Sequence, residues 1–217
     1  VTLWKRLSLG AEAIYYFGNL DKVTNMDYSN SSYRSVNSGS DLMIRGTTGK
    51  FGLQYEQKLG GDVSMIIGAT YRLSTSMKGN SINYRYAKQD SVTDTLKYQE
   101  GDLRKAGLKF ADELGVGISV KGGEKWTAEF NYFRSDWRNS GLDKAAGFAV
   151  SGKSVFSTTV SQSFRAGFEY VPNRNDIRYY MRRCTYRVGA YYDRAYYKLD
   201  GNNVNSVGVT FGLTLPI

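Results

Sequence analysis

The residue types of this chain argue against most enzyme chemistries. It has no histidine and a single cysteine, Cys184. It therefore has no imidazole general base, no His-ligated metal and no thiolate cluster, and it cannot close an internal disulfide. Carboxylates and guanidiniums remain. Glu113 with Glu129 is the combination that comes nearest to a carboxylate pair for acid–base work, but no nucleophile motif accompanies it. Gly115-Val-Gly-Ile-Ser lacks the third glycine and the helix of a dinucleotide site, and the Gly-Gly pairs read as turns rather than phosphate cradles. The expectation is no catalysis, no metal and no cofactor.

The formal net charge of +9 over 217 residues raises nucleic acid as a partner. The distribution argues against it, because Lys and Arg recur singly among Asp and Glu. The one dense knot is Arg174 to Arg183, with Arg178, Arg182 and Arg183. No nucleic-acid recognition motif goes with it.

The elements that must position these charges have a period of two and almost nowhere 3.6. Eight segments alternate: Leu7 to Phe17, about Leu42 to Leu59, Val63 to Leu73, Leu108 to Val120, Trp126 to Tyr132, about Phe156 to Val171, Thr185 to Asp193, and Ser206 to Leu215. Each has one apolar face and one small or charged face, with Ile66 the apolar intruder on the charged side. No run approaches the ~18 apolar residues of a spanning helix. Barrel strands need no such run.

Connection lengths alternate as well. Long polar segments, Gly18 to Asp41, about Ser76 to Lys105 and Arg138 to about Val155, follow strands one, three and five. Strands two and four end in the short turns Leu59-Gly60-Gly61-Asp62 and Lys121-Gly122-Gly123-Glu124. Outer-membrane barrels place long loops outside and short turns in the periplasm. Pro172 to Arg183 falls on the periplasmic side and could hold a short helix capped by Asn175 or Asp176. Leu199-Asp200-Gly201-Asn202-Asn203 reads as a tight hairpin.

A soluble sandwich would also alternate, and the glycines discriminate between the two. Gly10, Gly52, Gly68, Gly115, Gly117, Gly167, Gly189, Gly208 and Gly212 share the charged face. A solvated outer surface favours long polar side chains there, whereas the interior of a barrel gains room for curvature, a plug or a ligand path. On the other face, aromatics such as Tyr15, Phe17, Tyr55, Trp126, Tyr170, Tyr186 and Tyr192 gather near strand ends, as in the girdles of lipid-facing strands. The fold expected is all-β, a transmembrane antiparallel barrel with about eight strands in this chain, forming one domain over residues 1–217. Arg72, Glu113, Glu129, Arg165, Glu169 and Arg187 are then the candidate lumen-lining residues, mixed in sign. Neighbouring strands place Arg72 near Glu113 and Glu169 near Arg187.

Several segments resemble the C-terminal half of the FadL-like outer-membrane transporters, in the form common in Bacteroidetes. They are Leu7-Ser-Leu-Gly-Ala-Glu-Ala-Ile-Tyr-Tyr-Phe-Gly, Leu114-Gly-Val-Gly-Ile-Ser-Val, Phe164-Arg-Ala-Gly-Phe-Glu-Tyr-Val-Pro-Asn and Tyr186-Arg-Val-Gly-Ala-Tyr-Tyr-Asp. The resemblance implies a 14-stranded barrel with an N-terminal plug that passes long-chain fatty acids or other hydrophobic compounds. The family's plug and best-known ligand contacts fall largely outside this chain, so no family site residue carries over. Val1-Thr2-Leu3 reads as the end of an earlier strand and Trp4-Lys5-Arg6 as a short turn, consistent with further strands and a plug outside this chain. Eight strands closing on themselves is the competing architecture.

The leading expectation for function is an outer-membrane channel of a Gram-negative cell, with membrane lipid and a hydrophobic small molecule as partners. The runner-up is a docking platform in an outer-membrane secretion or assembly complex, whose long tyrosine-rich loops contact other outer-membrane proteins. An outer-membrane lipid hydrolase fits poorly without histidine.

Overall fold

A computed structural model describes residues 2–3, 6–29, 33–89, 92–143 and 156–216. Its strands are β1 (Thr2–Leu3), β2 (Leu7–Met26), β3 (Ser35–Gly60), β4 (Val63–Arg72), β5 (Thr75–Ser76), β6 (Asn80–Gln89), β7 (Val92–Asp102), β8 (Lys109–Phe110), β9 (Glu113–Gly122), β10 (Trp126–Asp136), β11 (Phe156–Thr158), β12 (Val160–Tyr170), β13 (Thr185–Leu199) and β14 (Asn202–Thr214). Two single-turn helices, α1 (Leu103–Ala106) and α2 (Tyr180–Arg183), complete the list. The architecture is all-β and antiparallel, as the period of two requires.

Eight long strands lie side by side in the order β2-β3-β4-β9-β10-β12-β13-β14. Their register preserves the two faces across the whole sheet. One row runs Leu9, Leu53, Ala69, Val116, Tyr132, Phe164, Tyr192, Val207. The row beside it runs Gly10, Gly52, Thr70, Gly115, Phe133, Ser163, Asp193, Ser206. A slip of one residue in any strand would exchange these faces. The apolar face stays exposed, with Leu53, Val116, Phe130 and Val209 all open. A water-soluble sheet would bury this stripe, whereas in a membrane it meets hydrocarbon.

The turns bear out their sequence signals. Gly60 and Gly61 at φ 124° and 55°, and Gly123 at φ 57°, turn the short ends, and Asp200 and Gly201, at φ 49° and 77°, close the β13–β14 hairpin. These left-handed positions suit glycine and, in hairpins, aspartate.

Two of the expected long loops turn out to be largely strand. β2 and β3 stay paired to Met26↔Val36, far beyond Phe17. The Ser76 to Lys105 segment folds into the β6–β7 hairpin, and β6 pairs with the upper part of β3 from Ser35↔Lys88 to Leu42↔Ser81. Together β2, β3, β6 and β7 form a blade above the membrane-spanning rows. β2 beyond Phe17 and nearly all of β7 are exposed on both faces, so the apolar alternation fades there while the backbone ladder continues. In the third long connection, residues 144–155 lie outside the described residues, as do Val1, Trp4 and Lys5.

β1 pairs with the start of β2 through Thr2↔Ser8 and Leu3↔Leu7, as Val1-Thr2-Leu3 suggested. At the other edge β14 pairs with β13. Phe211 on β14 is 83% exposed, against 44% for Phe168 inside the sheet.

Candidate functional site: the glycine-bearing face and its capped end

The charged face holds its ions in cross-strand groups. Arg72, opposite Glu113 in the register, places Nη2 3.5 Å from Glu113 Oε2, and Lys50 Nζ lies 3.8 Å from the other oxygen. Arg72 Nη1 also donates to the Tyr16 phenol at 3.0 Å. Glu169 faces Arg187, whose Nε donates to Oε2 at 2.6 Å and whose Nη1 donates to Thr214 Oγ1 at 3.0 Å. Arg165 reaches Asp193 at 4.0 Å, donates to Ser163 Oγ at 3.1 Å and lies over the Phe133 ring. Ser163 in turn donates to Asp193. Glu129 accepts from Ser119 Oγ at 3.2 Å.

Glu113 and Glu129 are not brought together. Glu113 stands opposite Ser135, six positions along β10 from Glu129, so the acid–base pair has no geometry. Four of the six candidates sit in two opposite-charge pairs, and Arg165 recruits Asp193.

The glycines create room that neighbouring strands partly take up. A Cβ at Gly115 would meet Phe133 at 2.9 Å and Thr70 Oγ1 at 2.7 Å, one at Gly117 would meet Asn131 Oδ1 at 2.2 Å, and one at Gly208 would meet Tyr191 at 2.4 Å. At Gly10 and Gly167 the added carbon would meet nothing within 4 Å. A groove of about 590 Å³ remains along this face from β2 to β10, bordered by Gly10, Gly52, Gly68, Gly117, Glu129 and Asn131.

The end of this face nearer the β6–β7 hairpin carries a packed apolar cap. Leu42, Met77, Leu103, Leu108 and Leu142 are buried together, with Tyr16, Ile44, Phe110, Trp137 and Tyr196 packed against them. Tyr16, Leu42 and Ile44 share the parity of Glu12 and Lys50, so the cap sits on the charged side. Four rings carry it across: Tyr16 to Phe110 at 5.2 Å, Phe110 to Trp137 at 5.8 Å, and Trp137 to Tyr196 at 5.1 Å. Tyr16 belongs to β2 and Tyr196 to β13, at opposite sides of the sheet order, so this chain of rings bridges the curve.

Backbone bonds fix the cap. Met77 N–H donates to Leu108 O at 2.9 Å, Lys109 N–H to Ser140 O at 2.8 Å, and β5 pairs with β8. α1 is capped by Asp102, which accepts from the Arg104 N–H, and by left-handed Gly107. Leu108 and Phe110, read from sequence as part of a lipid-facing strand, belong instead to this cap, because regular pairing breaks at Ala111 and Asp112 before β9 begins. The signal for the cap was present as Leu103, Trp137 and Leu142, apolar residues stranded in polar connections.

The opposite end carries the short turns and the loop before β13. Val171 N–H donates to Lys125 O at 2.7 Å, joining this loop to the β9–β10 turn. The expected helix is present as α2, though neither Asn175 nor Asp176 caps it, since its N-cap is Tyr179 without a side-chain bond. Asp176 instead accepts from the N–H groups of Arg178 and Tyr179, each at 2.9 Å, and pairs with Arg182 at 3.3 Å. The Tyr179 N–H bond leads these contacts in holding its carboxyl below the usual aspartate range, against the opposing effect of burial.

No curated protein matches the chain. Among solved structures, the Ralstonia pickettii toluene transporter TbuX is similar at a TM-score of 0.49 and 18% identity, over 94% of this chain and 54% of that one. The chain thus spans about half the length of TbuX. The BamG family model matches residues 1–217, and with its exposed apolar stripe and glycine-bearing charged face this outer-membrane barrel chain belongs to the BamG family.

Proposed function

We propose that the chain is a non-catalytic outer-membrane subunit whose blade docks other proteins. The observation that carries this reading is the packed cap, since a face closed by five buried aliphatic side chains and a bridge of four rings is built as a support. The blade above it supplies the surface. Its row Val23, Gly39, Tyr84, Tyr98 sets Tyr84 across Gly39, and Val23, Leu96 and Tyr98 stand exposed above the membrane rows. Tyrosine with scattered aliphatics beside polar residues is a composition suited to protein interfaces.

A photo-crosslinker at Tyr98 should give one discrete adduct in intact cells, whereas one at lipid-facing Val116 should give none with protein. Equal adduct patterns at the two positions would refute docking by the blade.

A second reading, passage of hydrophobic solutes such as long-chain fatty acids, is favoured by the 590 Å³ groove. It requires the cap to part. Fatty-acid flux through the reconstituted wild-type protein, raised by Trp137→Ala with Leu108→Ala, would support that reading, whereas no flux through either protein would exclude it.

A further inference from the structure

We propose that the loop over residues 173–183 is a basic foot that binds the headgroup phosphate of an anionic phospholipid in the periplasmic leaflet. Four arginines and one aspartate lie in these residues, and Asp176 is engaged by Arg182. Arg174 and Arg178 are exposed and have no carboxylate partner among the described residues. Arg183 lies over the Tyr180 ring at 5.2 Å and Arg182 over Tyr179 at 4.7 Å, which fixes the direction of both guanidiniums.

The loop is held in shape and in place. Asn173 N–H donates to Arg182 O at 2.8 Å, closing it on itself. Tyr186 Oη donates to Met181 O at 3.0 Å, and Tyr180 Oη to Pro216 O at 2.9 Å. Tyr186 belongs to the apolar-face row Trp126, Tyr170, Tyr186, Leu213, which reads as the lower aromatic girdle. The phenol therefore tethers Met181 beside the face that meets lipid, at the depth of headgroups rather than out in the periplasm.

The side chains at that depth are of two kinds. Ile177 is fully exposed, at 101%, and Met181 is 56% exposed. Beside them the arginines present planar donors that match phosphate oxygens in pairs. Apolar side chains interleaved with arginine at the interface fit a lipid headgroup with its upper acyl chain. An acidic protein surface would satisfy the charge but not the position beside the girdle. The inference rests on the outer-membrane placement of the sheet and shares its orientation with the docking reading, but it does not need a docked partner.

The test is native mass spectrometry of the full-length protein in neutral detergent, with equimolar phosphatidylglycerol and phosphatidylcholine. Phosphatidylglycerol should be retained at least about tenfold over phosphatidylcholine, from roughly fivefold per engaged arginine. Arg174→Ala with Arg178→Ala and Arg183→Ala should abolish the preference, and the same three positions as lysine should keep most of it. Heat-modifiable migration on gels reports that each variant is folded, and Arg187→Gln on the charged face should leave the preference intact. Equal retention of both lipids by the wild type would overturn the proposal, as would an unchanged preference in the folded alanine variant. Loss of the preference in millimolar inorganic phosphate would identify a free-anion site and overturn the lipid assignment. So would loss of a protein partner in the alanine variant with lipid preference unaltered.

Discussion

Arg187 and Arg72 are both paired with glutamate across one strand boundary, and their surroundings set them apart. Arg187 donates to Glu169 at 2.6 Å, yet 54% of its side chain and 36% of its partner's meet solvent. Water screens such a pair, so the coupling in a double-mutant cycle of Glu169→Gln and Arg187→Gln should be favourable but only about 0.5–1 kcal/mol. The Arg72 side chain is 19% exposed and also holds the Tyr16 phenol under the cap. Arg72→Gln leaves Glu113 with only the Lys50 ammonium at 3.8 Å and should cost about 1.5–3 kcal/mol. Urea unfolding from lipid vesicles, followed by tryptophan fluorescence, compares the two. A larger loss for Arg187→Gln, or strictly additive effects in the cycle, would contradict this account of the charged face.

A strand in this sheet is defined by two environments, and substitutions should report which one they enter. Ile67 on β4 stands between Tyr55 and Ile118 in the apolar rows and is exposed. Ile67→Arg sets a charge in hydrocarbon and should cost about 2–4 kcal/mol near mid-bilayer. Ser119 on β9 already donates to Glu129, so Ser119→Arg gains a carboxylate partner and should unfold at nearly the wild-type urea concentration. Equal destabilisation of both would mean that the faces are misassigned. The same contrast explains what could be read from sequence. Where one face meets lipid and the other does not, as in β4, β9, β10, β12, β13 and β14, composition alternates and strand parity is legible. Where both faces are wet, as in β2 beyond Phe17 and in β7, the ladder leaves no apolar alternation to read. The cap escaped for a third reason. Leu103 and Leu108 come from the link between β7 and β8, and Trp137 and Leu142 from the link after β10, and only the fold brings them together. The charged pairs were legible because register follows from parity, whereas the Tyr186 tether depends on a loop path that spacing alone does not specify.

At the scale of the whole molecule, the sheet has two distinct ends and two distinct edges. At one edge β1 pairs with the first residues of β2, and at the other β14 pairs with β13. The ends differ more sharply. One carries the blade and the cap, the other the short glycine turns and the arginine-rich loop, and barrel architecture places the first outside and the second in the periplasm. Asn30 and Asp90 lie outside the described residues, so the informative labels are Tyr28, just after β2, and Lys97 on β7. The native Cys184 is buried and should contribute little background. A cysteine at Tyr28 or Lys97 should react with a membrane-impermeant maleimide on intact cells, while one at Gly61 or Ile177 should react only after the outer membrane is opened. Labelling of all four on intact cells would mean that the sheet does not span the membrane. The inverse pattern would turn the blade toward the periplasm and the arginine foot toward the outer leaflet, removing both the external docking surface and the periplasmic phospholipid that the foot is placed to meet.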